Sequence, residues 1–264
     1  MKPKVLVAFN TLTLIVVLIV NYLPNTGLFD KSVGEISNQY TTLFVPAGYA
    51  FAIWGLIYLM LLAYVAFQWY AIYRASADQQ YIRQASIWFI VTNIANSAWV
   101  ILWVNEYLGA SVVVMFVILF ALIKLTLALR LEVWDAPVRI IALVWWPIAI
   151  YLGWIMVASI ANTAAFLVSR GYQGAPLTPF IWTLLMILVA TGLYLFLIFT
   201  RNLREAAMVG VWALAAIAYR QWEQVPIIAY VAIAAAIVLF VAAGYHGAKN
   251  VETSPLKKLQ RNEV

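Results

Sequence analysis

The sequence predicts an all-α fold, a polytopic membrane bundle of about eight transmembrane helices. The chain has 264 residues, of which 66% are hydrophobic and only 10% are charged. Its apolar residues stand in long runs, and a helix needs about 20 such residues to cross a hydrocarbon layer of about 30 Å. Lysines and arginines gather in alternate connecting segments, which is typical of the cytoplasmic loops of membrane proteins.

Charged residues, prolines and glycine-rich turns bound each predicted span. The predicted spans are 5–23, 46–72, 84–105, 109–130, 138–169, 177–199, 206–221 and 225–245. The segment 206–221 has the shortest apolar run, because Glu205 and Arg220 flank it closely. Length alone therefore leaves open whether this segment crosses the membrane.

The distribution of basic residues tests the number of spans. With eight spans and a cytoplasmic N-terminus, only Lys31, Arg170 and Arg220 lie on the outer side. The inner side holds Lys2, Lys4, Arg74, Arg83, Arg130, Arg139, Arg201, Arg204, Lys249, Lys257, Lys258 and Arg261. If 206–221 did not cross, the basic tail would move to the outer side, so the segment is predicted to span and both termini to be cytoplasmic.

Two segments outside the spans have distinct predicted roles. Residues 24–45, with the sequence PNTGLFDKSVGEISNQYTTLFV, form the longest outer connection and are polar enough to act as a cap or lid. Residues 249–264 are predicted to be a mobile cytoplasmic tail, whose basic residues can touch anionic lipid.

Several kinds of chemistry are excluded by composition. Cysteine is absent and there is one histidine, which leaves no catalytic triad, no thiolate and no metal site built from several imidazoles. His246 is either solvated at the interface or a haem ligand. Lys124 is the one ionisable residue inside a predicted span, and it either snorkels towards the surface or serves as a Schiff base or proton relay. Catalytic and metal-binding residues are therefore predicted to be none, and the protein is predicted not to be an enzyme.

Aromatic and amide side chains share faces on three predicted helices. In 44–58, FVPAGYAFAIWGLIY, the residues Phe51, Trp54 and Tyr58 follow helical spacing, and Gly48 follows Pro46. On the third helix the face carries Asn93, Asn96, Trp99 and Trp103. On the fifth it carries Tyr151, Trp154, Ala158 and Asn162, downstream of Trp145 and Trp146. Each face alone fits helix packing, but their recurrence on three helices indicates the walls of a ligand cavity.

These three stretches resemble the TspO/translocator family of tryptophan-rich sensory proteins, which have five membrane helices. Pro46, Gly48, Phe51, Trp54 and Tyr58 are similar to the family's P-P-G-W segment with its later tryptophan and tyrosine, although the second proline is missing. Asn96 and Trp99 match the motif of the family's third helix, and Tyr151, Trp154, Ala158 and Asn162 match the spacing of its fifth helix. The resemblance covers residues 1 to about 170.

The resemblance implies a TspO-like five-helix bundle in 1–170, with three additional transmembrane helices in 171–248 and the tail in 249–264. It also implies a pocket for porphyrins, haem-pathway intermediates, sterols or related flat apolar molecules, in a sensor, regulator or carrier. A porphyrin-degrading side activity stays open. No cofactor is expected to be obligatory, and the implied ligands are a porphyrin or a carotenoid or isoprenoid molecule.

The predicted function is thus the binding of a flat apolar ligand in an aromatic pocket of an integral membrane protein, in the inner membrane of a bacterium. The predicted ligand-binding residues are Pro46, Gly48, Phe51, Trp54, Tyr58, Asn93, Asn96, Trp99, Trp103, Trp145, Trp146, Tyr151, Trp154, Ala158 and Asn162. Alternatives are a subunit of a larger membrane complex that docks through the last three helices, and a transporter of small apolar solutes. Expected partners are the bilayer, the ligand and a second copy or larger complex, and not nucleic acid.

Overall fold

The computed structural model describes residues 1–172 and 177–261, and it is a bundle of α-helices with no β-strand in those ranges. This confirms the predicted all-α fold. The helices are α1 (Pro3–Tyr22), α2 (Val33–Gln39), α3 (Ile53–Tyr73), α4 (Gln79–Ala85), α5 (Trp88–Val104), α6 (Leu108–Ala128), α7 (Val138–Ile140), α8 (Trp146–Ser169), α9 (Pro179–Arg201), α10 (Arg204–Gln221), α11 (Pro226–Lys249) and α12 (Pro255–Gln260). Short 3₁₀ turns precede α3 and α12, and a π-helical segment, Ile141–Trp145, joins α7 to α8.

Six helical segments in the described part of the chain are long and apolar enough to cross a membrane. The pair α4 and α5, bent by 54° at the break between them, makes a seventh. The seventh predicted span, 206–221, does not pass the same criterion. Its helix α10 has 18 residues and carries Arg204, Glu205 and Arg220 at its ends, which lower its apolarity.

Nevertheless, α10 runs the full length of the bundle. At its start, Glu205 accepts a hydrogen bond from Trp146 at 3.1 Å. Near its other end, the carbonyl of Ala216 accepts a hydrogen bond from the backbone of Ala47 at 3.1 Å, and Arg220 donates to Asn38 at 3.3 Å. The helix packs against α8, α9 and α11, so neighbouring helices shield it.

The two ends of the bundle differ in their segments and their charge. We call the end that carries residues 23–47 the loop end, and the end that carries residues 129–137 and 250–261 the tail end. The first and the last described residues lie at the tail end, because α1 packs against α4 and α12 packs against α7. The twelve Lys and Arg residues assigned to one side by sequence all lie in tail-end segments, whereas Lys31, Arg170 and Arg220 lie at the loop end.

The C-terminal residues contact the bundle. Residues Val251–Thr253 form a 3₁₀ turn and are followed by α12, in a segment that was predicted to be a mobile tail. The Lys258 side chain is 3% exposed and forms an ion pair with Asp135. Residues 250–261 therefore cover part of the tail end.

The last three long helices join the first part of the chain in one hydrophobic cluster. Close packing of α8 against α10 depends on Gly153, since a Cβ there would lie 2.7 Å from the Ala206 carbonyl oxygen. The hydroxyl of Tyr194 on α9 donates to the Gly153 carbonyl at 2.6 Å. The ranges 1–170 and 171–248 thus share a core.

Candidate functional site

The stretch 44–58 folds as a loop, a tight turn and a helix. Pro46 precedes the helical residues, Gly48–Ala52 form a 3₁₀ helix, and α3 begins at Ile53. The first wall is therefore more tightly wound than a continuous helix from residue 46. Trp54 still stacks on Tyr58, with ring centroids 5.4 Å apart.

Two walls meet through aromatic edges. Phe51 contacts Trp154 of α8 edge to face, at 5.8 Å between ring centroids. Trp54 contacts Trp154 at 6.4 Å and Tyr151 at 5.7 Å, also edge to face. These arrangements suit the quadrupoles of the rings and hold α3 against α8.

The third wall is fixed to α8 by a buried hydrogen bond. The indole nitrogen of Trp99 on α5 donates to the side-chain oxygen of Asn162 at 2.8 Å. The Asn162 amide in turn donates to Ser111 of α6 at 2.9 Å. Trp103, one turn after Trp99, stacks on it with centroids 5.6 Å apart. The predicted Asn162 thus orients a tryptophan wall through its side-chain oxygen and bonds α6 through its amide nitrogen.

The three walls enclose a small space that we call the aromatic cavity. Its free volume is about 40 Å³, room for only a few water molecules. The lining residues are Val33, Ser37, Val45, Pro46, Phe51, Trp54, Trp99, Trp103, Trp154, Val157, Ala158, Ala161, Asn162 and Ala165. The cavity is therefore small, mostly apolar and partly lined by aromatic rings.

A larger space, the outer cleft, adjoins the aromatic cavity at the loop end. It has a volume of about 410 Å³ and shares Val33, Phe51, Trp54 and Trp99 with the aromatic cavity. Its other lining residues are Asn21, Asn25, Ser32, Gly34, Asn38, Gly48 and Tyr58. One side of the shared tryptophan wall is thus apolar, and the other side is lined with amides and hydroxyls.

Two buried polar atoms of the walls have no hydrogen-bond partner among the described residues. They are the indole nitrogen of Trp154 and the hydroxyl of Tyr58. Trp154 is 2% exposed and lines the aromatic cavity, and Tyr58 lines the outer cleft. A buried donor without a partner costs about 1–3 kcal/mol, so these groups indicate where a ligand could be bound by hydrogen bonds.

The cover of both spaces is α2, which sequence reasoning treated only as part of a general lid. Val33 and Ser37 line the aromatic cavity, and the Trp103 indole donates to the Val33 carbonyl at 3.1 Å. The signal that could have located this helix is its capping box, in which the Ser32 and Glu35 side chains each bond the other's backbone.

A charged cluster attaches the cover to the bundle. Glu106, in the turn between α5 and α6, accepts hydrogen bonds from Lys31 at 2.6 Å, Tyr40 at 2.5 Å and Gln39 at 2.9 Å. The hydrogen bonds from Lys31 and Tyr40 lower the pKa of Glu106 below its usual value. Glu106 therefore stays ionised at neutral pH and holds both ends of the cover.

Ten of the predicted residues line these two spaces, whereas three others lie behind the walls. The Asn96 amide donates to the Tyr151 hydroxyl at 2.8 Å and accepts a hydrogen bond from Asn21 of α1 at 2.8 Å. Asn93 donates to Thr13 of α1 at 3.1 Å. Asn93, Asn96 and Tyr151 thus bond helix to helix, because an amide in an apolar bundle is stabilised by the nearest available partner.

Trp145 and Trp146 lie at the tail end, away from both spaces. Trp145 ends the π-helical segment and lines a different cavity, and Trp146 donates to Glu205 at 3.1 Å. Their distance from Trp154 follows from helix geometry, since nine residues rise about 13 Å. Trp145 and Trp146 were predicted to bind the ligand because they precede the fifth-helix motif in sequence, but they do not line the aromatic cavity or the outer cleft.

The two isolated ionisable candidates lie apart from the aromatic cavity. The Lys124 ammonium group lies 5.5 Å from the centroid of the Trp88 ring in a cation–π contact. His246 packs edge to face on Phe199 at 5.9 Å and lies near Asn250. Among the residues that the structure describes, no three His, Cys, Asp or Glu side chains are grouped closely enough to hold a metal ion.

Comparison with known proteins gives one family. The model of the family described as TSPO-like protein matches residues 6–245. The match runs through α9, α10 and α11, which the motif comparison had left outside the resemblance. No curated protein and no solved structure matches the chain.

Proposed function

The chain belongs to the TSPO-like protein family, and we propose that it binds a flat apolar ligand between its three aromatic walls. The ligand class is a tetrapyrrole, a sterol or an isoprenoid-like molecule. The supporting observation is the shared wall of Phe51, Trp54 and Trp99, which stands between the aromatic cavity and the outer cleft. Planar conjugated rings stack favourably on such indole and phenyl faces.

The buried polar atoms that lack partners indicate where the polar end of the ligand would bind. The Trp154 indole can donate to a carbonyl or carboxylate oxygen, and the Tyr58 hydroxyl can donate or accept. Asn162 bonds Trp99 and Ser111 and so orients the wall, and the second hydrogen of its amide group is available to a ligand. A ligand with an apolar plane and an oxygen at its edge fits this arrangement best.

Binding requires the cover to move. The outer cleft, at about 410 Å³, falls in the size range of small-molecule pockets, whereas the aromatic cavity at about 40 Å³ is far below it. We propose that the ligand enters the outer cleft and that α2 shifts away from Trp103 to join the two spaces. The protein would act as a sensor, regulator or carrier in the cytoplasmic membrane of a bacterium, without catalysing a reaction of its own.

Quenching of tryptophan fluorescence by protoporphyrin IX tests this proposal. We expect saturable quenching in the full-length protein and loss of saturation in the double variant Trp54→Ala, Trp154→Ala. The conservative variant Trp154→Phe keeps an aromatic ring and removes only the indole N–H. It should weaken binding of protoporphyrin, which carries carboxylates, more than binding of an apolar carotenoid.

A double variant of equal tryptophan content provides the control. Trp88 lies beneath Lys124, and Trp222 is 53% exposed in the turn before α11. Replacing both with alanine removes two tryptophans outside the two spaces and should leave the affinity unchanged. Equal affinity of the Trp54→Ala, Trp154→Ala protein and this control would exclude the aromatic walls as the site.

The alternative of a subunit in a larger complex is less well supported. It was motivated by the alanine-rich sequence of α11, which permits close helix approach. Ala229, Ala232, Ala235, Ala236 and Ala243 are buried within the chain, where α11 packs extensively against α10. The small residues are thus used inside the bundle, and no separate observation favours a docking surface.

A further inference from the structure

A separate cavity lies at the tail end, and its lining differs in charge from its surroundings. It has a volume of about 250 Å³ and lies between the segment 129–137, the start of α8, and the ends of α9 and α11. Twelve Lys and Arg residues occur in segments of this end, yet the described residues that line the cavity include Glu132 and Asp135 and no lysine or arginine. The cavity is therefore a locally acidic site at a basic end of the protein.

Aromatic side chains form a corner of this cavity. The rings of Trp134 and Trp145 meet at 87° with centroids 5.5 Å apart, and both line the space. Tyr81 stacks on the outer side of Trp134 at 6.3 Å and fixes its position. Indole faces attract an ammonium group, most strongly where water is excluded.

Three polar groups of the lining define the hydrogen bonds that a ligand must make. The indole nitrogen of Trp145, which is 1% exposed, has no partner among the described residues and can only donate. The side-chain oxygen of Asn202 likewise has no partner there and can only accept. Asn202 donates through its amide nitrogen to Glu132 at 3.1 Å, so two acceptors stand side by side.

The carboxyl of Glu132 has no ion-pair partner in the described part of the chain. The neighbouring Asp135 is paired with Lys258, whereas the one hydrogen bond that the described residues give the Glu132 side chain comes from the Asn202 amide. A ligand that donates to Glu132 and Asn202, accepts from Trp145 and places positive charge against the aromatic corner would use every group. A metal ion does not fit, since it needs several coordinating ligands. Among the described residues, no three His, Cys, Asp or Glu side chains are grouped closely enough to hold one.

We propose that the tail-end cavity is a second binding site, specific for a small organic ammonium ion that carries an oxygen acceptor. The ammonium group bonds Glu132 and the Asn202 oxygen, and the ligand oxygen accepts from Trp145. This site is independent of the aromatic cavity. The same chemistry occurs in a free amino alcohol and in the ethanolamine headgroup of a lipid.

Proton release should accompany binding. Burial, together with the nearby Glu205, raises the pKa of Glu132 to about 8, against the opposing influence of Arg204, Asn202 and Lys258. Among the described residues that line the cavity, the other charged or titratable groups are Asp135 and His246. At neutral pH the Glu132 carboxyl is therefore mostly protonated, and an incoming ammonium ion favours its ionised form. Glu132 loses its proton to water and the charged pair remains, so affinity rises as the pH increases through about 8.

Fluorine NMR of the full-length protein labelled with 5-fluorotryptophan tests the site, with ethanolamine as the probe in phosphatidylglycerol nanodiscs. The Trp134→Phe and Trp145→Phe proteins assign the two resonances. We expect both to shift saturably with ethanolamine, with about tenfold tighter binding at pH 8.5 than at pH 6.5. The neutral isostere 1-propanol should bind at least about tenfold more weakly, because it lacks the charge.

Glu132→Gln preserves shape and removes the charge, and it should weaken ethanolamine binding about tenfold or more and abolish the pH dependence. Glu223→Gln, on an exposed residue at the loop end, is the matched control and should change neither. If Glu132→Gln does not fold, the pH dependence of ethanolamine affinity in the unsubstituted protein still tests whether the Glu132 carboxyl binds the ammonium group. Equal binding of 1-propanol, absence of shifts at both tryptophans, or pH-independent affinity would overturn the proposal.

The source of the ammonium ion is resolved by lipid composition. Adding phosphatidylethanolamine to the nanodiscs should move the Trp134 and Trp145 resonances in the same direction as free ethanolamine if the headgroup occupies the site. If the resonances respond only to the free amine, the ligand is water-soluble. Saturable quenching by protoporphyrin IX is measured on the same samples, so failure of this site and failure of the aromatic cavity are distinguished.

Discussion

The indole of Trp99 donates a hydrogen bond of 2.8 Å to Asn162, and this bond links two walls of the aromatic cavity across 63 residues of sequence. Asn162 also bonds Ser111 of α6, so one amide orients three helices. The residue therefore helps to determine the shape of the cavity that it lines.

Replacing Asn162 with leucine should destabilise the protein by about 1 kcal/mol or more, because the Trp99 indole and Ser111 lose a buried partner. Protoporphyrin affinity should fall as well, since Trp99 is no longer held in the wall. Thermal unfolding followed by circular dichroism and fluorescence quenching measure the two effects. Thr191→Val, a buried position on α9 whose hydroxyl bonds only its own helix, should have little effect on quenching.

Gly153 is expected to tolerate no side chain. A Cβ there would approach the Ala206 carbonyl oxygen at 2.7 Å and the Ala206 Cα at 3.0 Å, and neither backbone atom can rotate away. Gly153→Ala should separate α8 from α10 and cost about 1–3 kcal/mol of unfolding free energy. Gly192→Ala is the control, because no atom lies within 4 Å of the added carbon. Equal stability of the two variants would show that α8 and α10 are not in close contact.

Loss of the Glu106 cluster should free the cover. In Glu106→Gln the ion pair with Lys31 is lost and the bonds from Tyr40 and Gln39 weaken, so protoporphyrin should enter and leave several times faster. Stopped-flow fluorescence measures both rates. Asp30→Asn, which removes an exposed neighbouring charge, should leave them unchanged, and identical rates in Glu106→Gln would show that the cluster does not restrain α2.

The attachment of the cover should depend on pH through the same Glu106 carboxylate. The pKa of Glu106 lies below its ordinary value of 4.5, because Lys31 and Tyr40 bond its charged form. The stabilisation is therefore fully present above pH 4.5 and is lost as the pH falls through the lowered pKa. If Glu106 is the group that restrains the cover, protoporphyrin release rates should be constant between about pH 5 and pH 8. Faster release on acidification within that range would show that another titratable group restrains the cover.

A buried amide pair should show strong coupling. Asn10 of α1 donates to Gln68 of α3 at 2.8 Å, and both side chains are at most 1% exposed. Gln68→Leu alone should destabilise by about 1–2 kcal/mol, because it leaves the Asn10 amide unpaired. The double variant Asn10→Leu, Gln68→Leu should recover about 0.5–1.5 kcal/mol relative to the sum of the single changes. Strictly additive losses would show that the bond contributes no stability of its own.

Local patterns in the sequence predicted the long helices of the bundle, but not the short helices α2, α4 and α12. Hydropathy and spacing are properties of a single helix, so they show which side chains share a face, as with Phe51, Trp54 and Tyr58. Membership of the TSPO-like family followed from the same stretches. The count of spans was less secure at α10, because a helix shielded by its neighbours can carry charged ends that hydropathy penalises.

Only the tertiary structure decided what each face contacts. Asn96 and Trp99 share one helical face, yet Asn96 bonds Asn21 and Tyr151 behind the wall, whereas Trp99 lines the cavity. Likewise, Glu132 and Trp145 share a cavity with Asn202 because three separate segments end at the same place. Periodicity fixes the direction of a side chain about its own helix axis, but its partner depends on how the helices pack together.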